Sequence, residues 1–259
     1  MWDPAVYHRF DTERSRPFVD LISRVGTEHP RAVADLGCGS GELTETLATR
    51  WPAARITGLD SSVEMIANAA AQGTRVDYHL GDLAQWQPEP DTDVIVTNAA
   101  LQWVPGHEEL ITRWARALPP GAWFAMQVPG NFAAPSHRLL REVAATEPYA
   151  AVLGDIVREA PVDDAGGYAA RLLAEGARVD AWETTYVHLL AADGADHPVL
   201  RWMEGTALRP VKAALDDTAW RSFRATLDAK LAAVYPARSG RVAFPFRRIF
   251  VVAQLQEET

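Results

Sequence analysis

Strand-like runs that close on a polar residue recur along the first half of the chain. Ala32 to Leu36 carries Asp35 near its end, Ala54 to Leu59 stops at Asp60, Arg75 to Leu80 at Gly81-Asp82, and Thr92 to Thr97 at Asn98. A fifth, Ala122 to Val128, leads into Pro129-Gly130-Asn131. Runs this short and this apolar predict strands covered on both faces, as in a parallel sheet. Helical spacing falls between them, in Leu43, Leu47 and Trp51 and again in His107 to Leu118, which Pro119-Pro120-Gly121 stops. Ahead of the first strand, a helix beginning near Ser15 carries Phe18, Leu21, Ile22 and Val25 on one face. In the second half, Leu139, Leu140, Val143 and Ala144 repeat at helical spacing, and so does Tyr168 to Leu173. Val179 to Leu190 alternates as a sixth strand, His197 to Arg209 and Asp216 to Val234 predict helices, and Arg248 to Ala253, within Val242 to Leu255, predicts the last strand.

This succession predicts an α/β fold, a mostly parallel seven-stranded sheet with helices on both faces and a helical cap above its carboxyl edge. No repeat, low-complexity tract or Gly/Ser-rich linker breaks it, so a single domain over residues 1–259 is expected. Within it we expect an N-terminal lid over 1–27, a ligand-binding core over 28–130, and cap segments at about 132–176 and 193–238.

Gly37, Gly39 and Gly41 alternate directly after the first strand, where they allow positive φ and close approach of backbone N–H groups to a ligand. A dinucleotide fingerprint would need glycine at position 42, which is Glu42. Carboxylates at Asp35 and Glu42 repel a pyrophosphate and suit a ligand carrying positive charge. Asp60, some twenty residues beyond the glycines, is placed to hold two ribose hydroxyls, and Asp82 to meet a purine edge. Ligands bind at the carboxyl edge of open α/β sheets, and that edge is where these polar residues fall.

Composition narrows the field. The net charge of −9 argues against a nucleic-acid partner, since phosphate contacts need a basic face. A single cysteine, Cys38, excludes an internal disulfide and a cysteine-rich zinc site, and reads as a small buried residue in a reducing compartment. No apolar run is long enough to cross a bilayer, and Met1-Trp2-Asp3-Pro4 lacks the regions of a signal peptide, so a cytoplasmic protein without membrane contact is expected.

The order of strands, glycine turn and strand-end acids resembles the class I S-adenosylmethionine-dependent methyltransferases, which have a Rossmann-like sheet. The flanks are similar to the trans-aconitate 2-methyltransferase family. The stretches that carry this likeness are Glu13-Arg14-Ser15-Arg16-Pro17, Arg50 to Gly58, Asn98 to Trp103, Thr184 to His188, Thr206 to Pro210 and Phe244 to Arg248. The resemblance implies S-adenosyl-L-methionine as cofactor, held by Asp35, Gly37, Cys38, Gly39, Gly41, Asp60, Ser61, Asp82, Leu83 and Asn98. It also implies that the aromatic and basic segment Trp2 to Phe10 serves as the lid. The residues by themselves read equally well as a helix packed on the sheet.

The acceptor that the resemblance implies is a small anionic polycarboxylate, with no metal and no covalent catalytic residue. A hydroxyl or amine acceptor needs a base to take its proton. A carboxylate, with a pKa of about 4, needs none. It needs partners for its buried charge, and bidentate arginine is the best of these. Candidates are Arg14, Arg209, Arg247 and Arg248, with Tyr186, His188, Gln127 and Asn131 as neutral donors and Gln102 and Trp103 beside the fourth strand. Any single arginine is more often a solvated surface charge. Of the adjacent pair, Arg247 is expected to point inward, because Ile249 and Val251 share its face. Two alternatives stay open: methylation of a small hydroxyl or amine with His188 or His137 as base, and a non-catalytic cofactor-binding module. A monomer or weak homodimer is expected.

Overall fold

The computed structural model describes residues 15–154, 156–157 and 161–256. Seven strands form one sheet in the order β3-β2-β1-β4-β5-β7-β6. They are β1 (Ala32–Leu36), β2 (Arg55–Asp60), β3 (Asp77–Leu80), β4 (Thr92–Asn98), β5 (Trp123–Pro129), β6 (Ala177–Ala191) and β7 (Arg241–Leu255). β1 pairs in parallel with β2 on one side and β4 on the other, β3 and β5 continue in parallel, and β7 runs antiparallel to β5. The strand order therefore reverses between β1 and β4, and the carboxyl ends at such a reversal are where open α/β sheets bind ligands. β1 is buried at all five positions, as an interior strand of a sheet covered on both faces must be.

Ten α-helices are described: α1 (Arg16–Ile22), α2 (Thr44–Arg50), α3 (Val63–Ala70), α4 (His107–Ala117), α5 (Pro135–Ala144), α6 (Ala150–Leu153), α7 (Ala165–Ala174), α8 (Pro198–Glu204), α9 (Arg209–Ala214) and α10 (Asp217–Val234). Cα packing divides the chain into two compact units. One holds the chain up to Pro129 with Val162–Thr184 and Arg248 onward, and the other holds Gly130–Pro161 and Thr185–Arg247.

In the first unit, α4 buries His107, Leu110, Ile111, Trp114 and Ala115, one stripe at helical spacing. Leu110, Ile111 and Trp114 share a core with Tyr168 and Leu172 of α7 and with Ile95, Phe124, Met126, Ile249 and Val251 of the sheet. α1 packs against β5, α2 against β2, and α3 against β2 and β3. A buried polar chain ties α4 to α7. His107 Nδ1–H donates to the Val104 carbonyl at 3.1 Å, so Nε2 accepts from the Tyr168 hydroxyl at 2.6 Å, which in turn accepts the Asp163 amide at 3.1 Å.

In the second unit, α10 buries Phe223, Leu227 and Leu231 against α5 and α8. Asp216 starts it by accepting the amides of Thr218 and Ala219 at 2.9 and 2.8 Å. Leu139, Leu140, Val143, Val199, Leu200 and Met203 complete this core.

Local chemistry explains where the elements depart from expectation. The helix expected over His197 to Arg209 stops at Glu204, with Gly205 as its cap, and a separate helix, α9, opens at Arg209-Pro210. Pro210 has no amide to donate to the turn before it and is suited to a first turn, so an uninterrupted helix cannot pass through it. β3 begins at Asp77 instead of Arg75. The Arg75 guanidinium turns away to donate to the carbonyls of Ala48, Ala54 and Trp51. α3 was not singled out in the sequence, where alanines blur its periodicity; Ser62 caps it by accepting the Met65 amide at 3.3 Å.

Candidate functional site at the carboxyl edge of the sheet

The turn after β1 holds three glycines with positive φ, Gly37 at 84°, Gly39 at 56° and Gly41 at 83°. The amides of Gly37 and Cys38 both donate to the Leu59 carbonyl, at 2.7 and 3.0 Å, which pins the start of the turn to β2. A side chain at Gly37 would overlap the Ala100 methyl group, whereas a Cβ at Gly39 would meet nothing within 4 Å and faces open space. Asp60 joins the same turn. Its Oδ2 accepts the Gly39 amide and its Oδ1 the Ser62 amide, both at 2.9 Å.

Asp35 is 3 % exposed and accepts the Thr44 hydroxyl at 2.6 Å. Burial pushes its carboxyl up to about 6, opposed by the Thr44 hydrogen bond and aided by the charge of Asp60. The Cys38 thiol is pushed far above its ordinary range by burial and then by the charges of Asp35 and Asp60. A half-buried thiol held in its protonated form is a poor nucleophile. Ser61 and Asp82 are exposed, and Asp82 Oδ1 accepts the Ala84 amide at 2.9 Å. Leu83 is buried in the core beneath them.

Asn98, at the end of β4, has a buried Oδ1 without a hydrogen-bond partner among the described residues. Past the left-handed Ala99 comes a single 3-10 turn, Leu101–Trp103. Gln102 is buried and donates to the Ala99 carbonyl, and Trp103 is 51 % exposed. On the neighbouring strand Gln127 stands opposite Asn98, fully buried, with an Nε2 that lacks a partner among the described residues.

The arginine pair of β7 corrects the expectation. Arg248, not Arg247, is the buried one, 7 % exposed, and its Nη1 donates to Gln127 Oε1 at 3.2 Å. Alternation does put Arg247 on the face of Ile249 and Val251, but Phe250 and Val252 are equally buried, so apolar neighbours do not tell the faces apart there. Upstream the signal is clear, with Val242, Phe244 and Phe246 buried on Arg248's side of the alternation and Arg241, Ala243 and Pro245 exposed on the other.

In the second unit Arg247 is half-buried, and its Nη1 donates to the Gly130 carbonyl at 3.1 Å while Gly130 returns its amide to the Arg247 carbonyl at 2.9 Å. Beside Gly130, Asn131 is 3 % exposed and its Nδ2 donates to His137 Nδ1 at 3.3 Å. Burial, reinforced by the charge of Arg141, lowers His137 to about 4. Asn131 and Arg247 are thus brought to one turn. His188 is buried and stacks on Trp202 with centroids 4.7 Å apart, and Tyr186 is half-buried on the same strand. Arg209 is exposed at the first residue of α9. Arg14 and most of the expected lid lie outside the described residues.

Sequence reasoning missed Thr44, Ala100 and Tyr78. Thr44 is a fully buried hydroxyl nine residues after Asp35, and a threonine opening an otherwise apolar helix face was its only signal. A cavity of about 190 Å³ beside Tyr78 is lined by Ala70, Thr74, Val76, Asp77, Tyr78 and His79, none of them an expected site residue. Among the described residues no group of three or more His, Cys, Asp or Glu is placed to hold a metal ion, and no helix is long and apolar enough to cross a membrane.

A family profile described as a methyltransferase domain matches residues 33–121. A trans-aconitate 2-methyltransferase of Mycobacterium sp. (strain KMS) is 53 % identical over 261 residues, which cover 98 % of this chain and 99 % of that protein. One of Mycobacterium tuberculosis (strain ATCC 25177 / H37Ra) is 52 % identical over 258 residues, covering 98 % and 97 %. Among solved structures, an S-adenosylmethionine-dependent methyltransferase of Mesorhizobium loti superposes with a TM-score of 0.53 at 19 % identity, covering 94 % of this chain and 99 % of that one. A Haemonchus contortus phosphoethanolamine N-methyltransferase in complex with S-adenosylhomocysteine gives 0.55 at 16 % identity, covering 92 % and 52 %. At those identities the two structures speak for the fold, a class I Rossmann-like sheet.

Proposed function

Because the chain belongs to the trans-aconitate 2-methyltransferase family of S-adenosylmethionine-dependent enzymes, we propose that it esterifies one carboxylate of trans-aconitate or a related small polycarboxylate. The product is a monomethyl ester.

The residues at the carboxyl edge of β1, β2 and β4 fit the methyl donor. Its sulfonium and ammonium are cationic, and Asp35 and Asp60 supply negative charge on both sides of a turn that is open at Gly39. Each Asp60 oxygen keeps a lone pair beyond the backbone amide it accepts, enough for a ribose diol. In this reading Gly37, Cys38, Gly39, Gly41 and Asn98 line the methionyl end, Asp60 and Ser61 the ribose, and Asp82 and Leu83 the adenine.

When bound, the donor supplies a methyl group activated on a sulfonium that is its own leaving group. The chain's residues then have to hold the acid in line and compensate its buried charge. No base is required of them, since a carboxylate of pKa about 4 is ionised at neutral pH. His137, lowered to about 4, is correspondingly a poor base there. The observation that supports an anionic acceptor is Arg248, a buried guanidinium held by Gln127 on the strand beside Asn98. Gln102 and Trp103 follow that strand. Arg14, Asn131, Tyr186, His188, Arg209 and Arg247 remain proposed donors to the acid, in a single-domain enzyme of the cytoplasm that acts as a monomer or weak homodimer.

The test is ester formation by the purified protein from labelled S-adenosylmethionine and trans-aconitate. Labelled ester supports the acceptor. No ester at any acid concentration, with donor binding intact by calorimetry, rejects it.

A further inference from the structure

Tyr78 lies on β3, two strands away from β1, yet its ring fills the space that side chains at two other positions would need. A Cβ on Gly58 would stand 2.7 Å from Tyr78 Cδ1 and 2.8 Å from Cε1. A Cβ on Gly41, the last glycine of the turn, would stand 2.7 Å from Cζ and overlap the hydroxyl. That hydroxyl is 2.7 Å from Glu45 Oε1 and 3.2 Å from the Gly41 carbonyl. Its one proton serves the nearer, charged acceptor. Glu45 sits in the first turn of α2, donates its own amide to the same Gly41 carbonyl at 3.0 Å, and accepts the Thr74 hydroxyl at 2.5 Å. Burial, and then Glu45, push the phenol far above its ordinary range, so it remains a donor throughout the working pH range. Next along the turn, the Ser40 carbonyl accepts Gln72 Nε2 at 2.5 Å.

We propose that Tyr78 is a positioning residue for the methyl donor, clasping the Gly41 end of the turn through its ring and tying it to α2 through Glu45. A turn with three glycines has the most backbone freedom to lose, and any part of it left unordered in the free protein must be ordered at binding. The Tyr78 ring packed on Gly41 and the Gln72 amide on the Ser40 carbonyl hold the outer end of the turn in place, so that ordering is already complete when the donor arrives. The turn meets the donor alike in the ground state and the transition state, so the effect falls on donor affinity and leaves turnover alone.

The inference rests on the donor and not on the acceptor, so its test needs no acid. Calorimetric titration with S-adenosylhomocysteine should show Tyr78→Phe binding about fivefold more weakly, the effect of one net hydrogen bond. Glu45→Ala should match it, Glu45→Gln, which keeps an acceptor oxygen, should restore binding, and the double variant Tyr78→Phe/Glu45→Ala should be no weaker than either single one. At saturating donor, kcat should stay within about twofold. Unchanged affinity in Tyr78→Phe, a melting temperature that falls while affinity holds, or additive losses in the double variant would each overturn the proposal.

Discussion

Asp60 reaches from the end of β2 into the glycine turn and accepts the Gly39 amide at 2.9 Å, while its second oxygen accepts the Ser62 amide at the same distance. One carboxylate thus holds the turn and the start of α3 in a fixed relation, with lone pairs left over. Asp60→Ala should weaken donor binding by about 10- to 100-fold, as expected for lost hydrogen bonds to a charged group. The Michaelis constant for the acid should barely move. Titration with S-adenosylhomocysteine decides it; affinity within twofold of the parent protein would remove Asp60 from the donor site.

Asp35 gives a pH dependence whose sign follows from its burial. Its carboxyl is raised from 3.8 to about 6, so between these values the folded protein holds a proton that the unfolded chain has released. Stability from this group is therefore lost as pH rises through that window, by about 3 kcal/mol at most. A cationic donor favours the ionised form and should bind more tightly as pH rises from about 5 to 7. In Asp35→Asn both slopes should flatten, which thermal melts and donor titrations across that range measure. A donor affinity that rises with pH as steeply in Asp35→Asn would assign the effect to another group.

The glycine turn and its flanking strands were legible because each local signal agrees with the next: an apolar run, alternating glycines that adopt positive φ, and Asp60 closing the following strand. Tyr78 was not, because a tyrosine on an edge strand gives no sign of which glycines its ring will cover. The orientation of Arg247 and Arg248 was misread for a related reason. Alternation separates two faces only where one is wet, and β7 is buried on both from Arg248 to Ala253. The early stop of α8 was legible in Gly205 and was hidden by the apolar pattern running on to Arg209, whereas the expected end at Arg209 does fall where Pro210 opens a new helix.

Gly37 is fixed by two constraints at once, a φ of 84° and a Cβ position already taken by the Ala100 methyl. Gly37→Ala should destabilise the protein by about 2 to 4 kcal/mol, combining left-handed backbone strain with overpacking. Ala100→Gly added to it should restore the overpacking part and leave the strain of about 1 kcal/mol. Denaturant unfolding of the two variants separates them; no recovery in the pair would show that backbone conformation alone sets the requirement.

Arg248 carries the reading of an anionic acceptor and can be tested apart from its neighbour. It is buried and bound to Gln127, whereas Arg247 is half-buried and bound to the Gly130 carbonyl. If the buried guanidinium meets a carboxylate of the substrate, Arg248→Gln should raise the Michaelis constant for the acid by about 10- to 100-fold, the range of a charge-assisted hydrogen bond. Arg248→Lys should recover only part of this, because an ammonium keeps the charge and loses the planar fork. Arg247→Gln should cost no more than about threefold, as suits a more exposed charge. Donor affinity measured by calorimetry should stay the same in all three, which separates a lost contact with the acid from a collapsed site. The opposite ranking, with Arg247→Gln the more damaging, would return the acid-binding role to the residue that strand alternation first suggested.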